Sequence, residues 1–258
     1  MSVEQIEIYR NPEALARAAA DRFRRVANAA LKAAGIFTVA LSGGNTPKAL
    51  YSLLGEDPDY RKKLPWDKTF FFFGDERHVP PDHAESNFRL AQEVLFSKIA
   101  IPAGNIYRIP AENSNAAEAS SYYERDLRRF FGERDLVTGG APVFDLIFLG
   151  TGPDGHTASL FPGSAALNET GKWVTENWVE EFKSYRITVT YPVLNNAVLL
   201  IVLVAGADKA PIIENVLEKQ SNSQLYPIQR VMPRFGPKLW LLDEAAAGRL
   251  SSRVRNGS

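Results

Sequence analysis

The chain contains no cysteine. That excludes disulfides, thiolate nucleophiles and cysteine-based zinc sites, and it is compatible with a reducing compartment. It also lacks net charge, with 30 Lys and Arg against 30 Asp and Glu. No field from net charge therefore draws the chain to nucleic acid or a membrane, although a local basic pocket is compatible with the balance. No apolar run reaches the roughly 20 residues of a membrane-spanning helix. The opening MSVEQIEIYR has neither the charged start nor the apolar core of a signal peptide. A soluble, cytoplasmic protein with no nucleic-acid or membrane partner is expected. Internal repeats and low-complexity linkers are missing too. At 258 residues, 45% hydrophobic and 23% charged, the chain fits one α/β domain over residues 1–258.

What is present is an alternation of apolar runs and helical patterns. Residues 3–9 alternate as a strand. Asn11 and Pro12 read as the N-cap and first turn of a helix that continues over 14–34 and ends at Gly35. A strand is predicted at 36–41, followed by Ser42-Gly43-Gly44-Asn45-Thr46-Pro47 and a helix over 48–54. Residues 57–64 read as a short helix or loop. The run KTFFFFG at 68–74 reads as a strand buried on both faces. Ser86 caps a predicted helix over 87–98. A short strand is predicted at 106–109, a helix at 114–131 and a central strand at 143–149. Past Gly163 the pattern changes, with antiparallel strands at 173–178 and 186–190 and a turn at 192–196. A strand at 197–205, a helix at 208–217 and a loop at 221–224 follow. A last strand at 238–242 and a short helix at 244–247 close the chain. This order predicts a largely parallel, Rossmann-like α/β sheet with helices on both faces.

Four predicted strands end in glycine-bearing loops, at Ser42, Gly74, Gly150 and Gly206. In such a sheet their carboxyl ends share one edge, where ligands bind. The SGGNTP loop offers backbone N–H groups, the Thr46 hydroxyl and a helix N-terminus, which suits a phosphate. It is neither GxGxxG nor GxxxxGK[ST], and a plain helix-capping turn reads equally well. Lys209 offers a point charge and Arg186 a planar fork for the same phosphate, against the plainer reading of a solvated lysine. Arg77, beside Asp75, Glu76 and His78, is either a surface ion pair or an anion clamp at a strand end. His78 and His83, near Asp82 and Glu85, lack metal-binding spacing, and no metal is expected. His156 follows Gly155 and starts a predicted helix, whose dipole favours a neutral imidazole able to act as general base. Asp154 is placed to orient it or to bind a substrate hydroxyl. The plainer reading makes His156 a helix cap.

The segments VALSGGNTPKALY (39–51), FGDERHVPPDHAESNF (73–88), GTGPDGHTASLFPG (150–163), RITVTYPVLNNA (186–197) and AGADKA (205–210) together resemble the 6-phosphogluconolactonase family over nearly the whole chain. The resemblance implies the sheet fold shared with the amino-sugar-phosphate isomerase/deaminases. It implies hydrolysis of 6-phospho-D-glucono-1,5-lactone in the oxidative pentose phosphate pathway, with no metal or organic cofactor and a small sugar phosphate as partner. It makes His156 the base, Arg77 the motif arginine at the site, and Gly43–Thr46, Lys209 and Arg186 the phosphate site. Ser42 and Asp75 are further substrate-binding candidates, and Asp154 a catalytic one, on the reading of the strand ends. Pro153 stands where family members more often carry an acid. The sequence itself does not give an oligomeric state; a monomer is the working expectation. The deaminase relatives carry a glutamate in a segment resembling FNEPG, where this chain has Leu160-Phe161-Pro162-Gly163, which favours lactone hydrolysis. A non-enzymatic sugar-phosphate sensor is the other alternative, against which the presence of His156 weighs.

Overall fold

A computed structural model describes residues 4–218 and 226–255. The first half runs β1 (Glu4–Tyr9), α1 (Pro12–Ala34), β2 (Phe37–Leu41), α2 (Asn45–Glu56), α3 (Pro58–Arg61), β3 (Thr69–Phe73), β4 (Asp75–Arg77), α4 (Asn87–Val94) and α5 (Ala116–Gly132). The second half runs β5 (Val137–Thr138), β6 (Ala141–Pro142), β7 (Leu146–Leu149), β8 (Val174–Val179), β9 (Ser184–Val189), α6 (Tyr191–Leu194), β10 (Leu200–Val204), α7 (Ala210–Leu217), β11 (Lys238–Asp243) and α8 (Ser252–Arg255). The predicted loop at 221–224 lies outside the described residues.

Six strands form a parallel sheet in the order β1-β11-β10-β7-β2-β3. The chain leaves β2 toward β3 on one side and β7 toward β10 on the other. The β2–β7 boundary is therefore the point where the winding reverses and a crevice opens beyond the strand ends. The four phenylalanines of β3 show how the sheet is buried. Side chains alternate across a strand, so Phe71 and Phe73 face Phe23 of α1, Trp66, Phe88 and Phe96. Phe70 and Phe72 face Tyr107 and, on α5, Phe130 and Phe131. A run that is apolar on both sides is what a strand needs when helices cover both faces. Removing one such ring costs about 3–5 kcal/mol.

Helix ends follow their residues. The Asn11 side chain accepts from Ala14 N at 2.9 Å, Pro12 opens α1, and Gly35 ends it in the left-handed region. Two buried tyrosines close strand ends: the Tyr51 hydroxyl accepts from Ser42 N and donates to Ser42 O, and the Tyr123 hydroxyl does the same for Phe73. Each satisfies a backbone pair that the sheet leaves open.

A second sheet, antiparallel in the order β4-β9-β8, is joined to the first at Gly74. Gly74 N donates to Leu41 O of β2 at 2.8 Å, and Gly74 O accepts from Val189 N of β9 at 2.9 Å. The chain thus changes sheets within one residue, and Asp75–Arg77, read from sequence as a loop, become a strand.

Other expectations are corrected. Residues 106–109 form only a single bridge, Ile106 to Phe71. Residues 244–247 are turns, and α6 occupies part of the predicted turn at 192–196. The helix after Ser86 breaks at Leu95 and continues as one 3-10 turn, Phe96–Lys98. No helix starts at His156; a bridge between Thr157 and Leu160 closes a tight turn there. Among the described residues, no helix is long and apolar enough to cross a membrane.

Candidate active site

A cavity of about 390 Å³ lies beyond the carboxyl ends of β2 and β7. Ser42, Gly43, Gly44, Asp75, Arg77, His156, Arg186 and Lys209 all line it. Thr46 sits in the first turn of α2 and does not line it, and Asp154 reaches it only through His156.

The β7 loop is closed by its own backbone. Gly152 N donates to His156 O at 3.0 Å, Gly155 N to Gly152 O at 3.1 Å, and the Thr157 hydroxyl to Gly150 O at 2.9 Å. The imidazole lies so close to Gly152 that a Cβ there would sit 2.2 Å from its ring atoms. Any larger residue at 152 would displace the ring. His156 Nδ1 lies 2.6 Å from Asp154 Oδ1, and Phe161 stacks on the ring at 4.1 Å between centroids. A carboxylate only accepts, so Nδ1 carries the proton and Nε2 is left with a free lone pair; this tautomer is assigned from the bonding partner. Burial pushes the Asp154 carboxyl up, but hydrogen bonds from His156 and, when the ring is protonated, its charge outweigh this and hold it below the usual range. The helix dipole expected to act on His156 is absent, because no helix begins there. Its orientation comes instead from Asp154, Phe161 and the loop.

Ala158, beyond the histidine, has φ 47°, which is strained for a residue with a Cβ. The next residue is fixed by three partners. Ser159 N donates to the Thr188 hydroxyl, Ser159 Oγ donates to Asp75 Oδ2 at 2.6 Å, and Ser159 O accepts from Asn177 Nδ2 at 2.9 Å. Asp75 thus does not touch the imidazole. It is tied to Ser159 and to Asn87, whose Nδ2 donates to Asp75 O at 2.9 Å.

Asn87 also holds the first loop. A Cβ on Gly43 would sit 1.9 Å from Asn87 Oδ1, so only glycine fits between that amide and the strand end. The Ser42 hydroxyl is buried against the cavity and has no partner among the described residues. A buried orphan hydroxyl at a helix entrance is suited to receive a ligand oxygen. Lys209 ends the 3-10 turn Ala207–Lys209 and reaches Thr151 O at 3.2 Å.

The antiparallel sheet supplies two arginines, since Arg77 on β4 is directly opposite Arg186 on β9. Among the described residues neither has a carboxylate within ion-pair distance. Arg77 donates to Glu85 O, and Arg186 to Ser184 Oγ and Tyr185 O. Burial and then the like charge of Arg77 pull the Arg186 guanidinium below its usual value, against the pull of Asp75, Glu85 and Glu76. The two cations stay charged and gain most from an anion placed against both. The ion-pair reading of Arg77 is corrected: Glu76 turns away, accepting from Arg77 N, Asn87 N, Phe88 N and the Ser86 hydroxyl. His78 meets Asn113 O and His83 accepts from Glu85 N; among the described residues no group of three metal-ligating side chains forms.

Sequence reasoning gave no site role to Asn87, Ser159, Phe161 or Phe182, and weighed Glu85 only for a metal. Asn87, Ser159 and Phe161 lay within segments recognised as wholes, and Phe182 lay outside them.

Comparison with known proteins agrees with this geometry. The family model for glucosamine-6-phosphate isomerases/6-phosphogluconolactonase matches residues 10–240. A 6-phosphogluconolactonase of Nostoc sp. is 39% identical over 246 residues, covering 95% of this chain and 98% of the relative. One of Synechocystis sp. is 39% identical over 213 residues, covering 83% and 84%. Among solved structures, 6-phosphogluconolactonase from Trypanosoma cruzi superposes with a TM-score of 0.83 at 29% identity, covering 97% of this chain and 98% of that one.

Proposed function

The chain belongs to the glucosamine-6-phosphate isomerase/6-phosphogluconolactonase family, and we propose that its strand-edge cavity activates water with His156 as general base. The reaction is hydrolysis of 6-phospho-D-glucono-1,5-lactone to 6-phospho-D-gluconate, the lactonase step of the oxidative pentose phosphate pathway. The observation that supports the site assignment is the convergence on one cavity of an oriented imidazole and three cations that have no carboxylate partner among the described residues.

In this reading the N-terminus of α2 with Ser42, Gly43 and Gly44 holds the phosphate, together with Lys209 and Arg186. Thr46 contributes through the first turn of that helix rather than by lining the cavity. With the phosphate fixed, the ring extends toward His156. Nε2 takes a proton from water as the water oxygen bonds to C1. The carbonyl oxygen gains charge beside Arg77. The tetrahedral intermediate collapses by breaking the bond from C1 to the ring oxygen, and the imidazolium returns its proton to that oxygen. The product acid then ionises. Asp154 holds the imidazole in the reactive tautomer, and Asp75, fixed by Ser159 and Asn87, receives a sugar hydroxyl. General-base assistance supplies about 10²–10⁴-fold and an oxyanion donor about 10²–10³-fold. A reactive lactone needs no covalent nucleophile. The shared core of the two sheets supports treating residues 1–258 as one domain, working in the cytoplasm on a small sugar phosphate.

The test is acid release from freshly prepared 6-phosphogluconolactone, measured against the spontaneous rate, with glucosamine 6-phosphate and ammonia detection in parallel. Accelerated acid release without ammonia is expected. Ammonia release would move the chain to the deaminase side of its family.

A further inference from the structure

Phe182 is a large aromatic side chain that stays 48% exposed at the rim of the cavity. It closes the 3-10 turn Glu180–Phe182 at the tip of the β8–β9 hairpin. The tip is stiffened from several sides. Trp178 and Tyr185 are opposite each other in the register and pack ring to ring at 5.0 Å, Trp178 Nε1 donates to Glu180 at 2.8 Å, and Lys183 pairs with Glu180. Lys183 takes up the left-handed turn, with φ 47°. An exposed ring on a braced tip gains little from burial, so its place needs another reason.

Its neighbours supply one. The Phe182 ring lies 6.1 Å from Phe161, nearly edge to face, and Phe161 stacks on His156. The Arg186 guanidinium lies over the Phe182 ring, 5.1 Å from its centroid. Phe182 therefore bridges the imidazole side of the cavity and the cationic side. The reacting carbonyl at C1 and the C5 carbon that carries the phosphate arm flank the ring oxygen, and the closed ring that joins them presents a face of C–H bonds with no polar group to satisfy. We propose that Phe182 is a specificity residue that reads this face, packing its ring against the closed lactone. The acyclic product has no such face and loses the contact when C1 parts from the ring oxygen. Phe182 thus favours the substrate over the product without touching the reacting atoms.

The inference rests on the lactonase reading, and the two fail differently. If the wild-type protein does not accelerate lactone hydrolysis, the function is wrong; if it does, the variants decide about Phe182. Phe182→Ala should raise KM for the lactone roughly 3–10-fold, the scale of one aromatic contact, with kcat within about twofold. Calorimetric Kd values for 6-phosphogluconate and for inorganic phosphate should not change. Phe182→Trp should restore the wild-type KM, whereas Phe182→Leu should not. Because the ring is exposed, the Tm of each variant should match that of the wild type. Equal weakening of lactone, product and phosphate would overturn the proposal, since it would make Phe182 only a support for Arg186. An unchanged KM in Phe182→Ala would overturn it as well.

Discussion

The two walls of the cavity are built by different means. The parallel sheet contributes strand-end loops whose backbone does the positioning. Ser42–Gly44 and Gly150–His156 are held by internal N–H bonds, by glycines that admit close neighbours, and by Tyr51 beneath. The small antiparallel sheet contributes side chains displayed from paired strands: Arg77 opposite Arg186, with Phe182 at the hairpin tip. A loop closed on its own backbone fixes one functional atom in one orientation, as chemistry requires. A strand pair presents charge and surface over a wider span. The proposed division is that the β7 loop performs proton transfer while Arg186, Lys209 and the α2 N-terminus bind the phosphate, with Arg77 alone of these cations serving the reacting carbonyl.

The largest expected effect falls on the loop. His156→Ala should lower kcat by about 10²–10⁴-fold with KM near wild type in steady-state assays, and near-normal turnover would break the division at once. Arg77→Ala comes next. As the oxyanion partner it should lower kcat by about 10²–10³-fold; a rise in KM alone would move Arg77 to the phosphate site. Lys209→Ala should raise KM by roughly 10-fold, the scale of one charge-assisted hydrogen bond, leaving kcat nearly unchanged. An unaltered KM would remove it from the phosphate wall.

The smallest effect is on stability. The Asp154 pKa lies below its ordinary value in the folded protein, so its contribution is present above the unfolded carboxylate pKa. That contribution is lost as pH falls through the folded value. The gap in Tm between wild type and Asp154→Asn should be small, because the group is partly exposed. It should be constant around neutrality and close in acid. A gap that stays open in strong acid would contradict the assigned pairing with His156.

The parallel sheet was readable because its signals are local. Apolar runs of strand length end in glycine loops, and the phenylalanine run at 70–73 has no other stable burial. The edge where the loops meet followed from topology. The small sheet was readable only in part: β8 and β9 alternate, but β4 is three charged or acidic residues whose pairing depends on Gly74 bridging two sheets. The segment after His156 misled for a related reason. HTASLF has no local helix breaker, yet contacts of Ser159 with Thr188, Asp75 and Asn177 hold a turn in which Ala158 is left-handed. Tertiary hydrogen bonds there overrode local propensity, and with the helix went the dipole argument. Phe182 had no sequence signal, and Phe161 had only its place in a recognised segment, since an aromatic at a cavity rim and one in a core look alike in one dimension.

The division is tested most directly by calorimetric titration of 6-phosphogluconate into His156→Ala and Arg186→Ala side by side. The account predicts a wild-type Kd for the first and a Kd weakened by roughly 10-fold or more for the second, on the scale of lost charge-assisted bonds. Weakened binding in His156→Ala with wild-type binding in Arg186→Ala would contradict it.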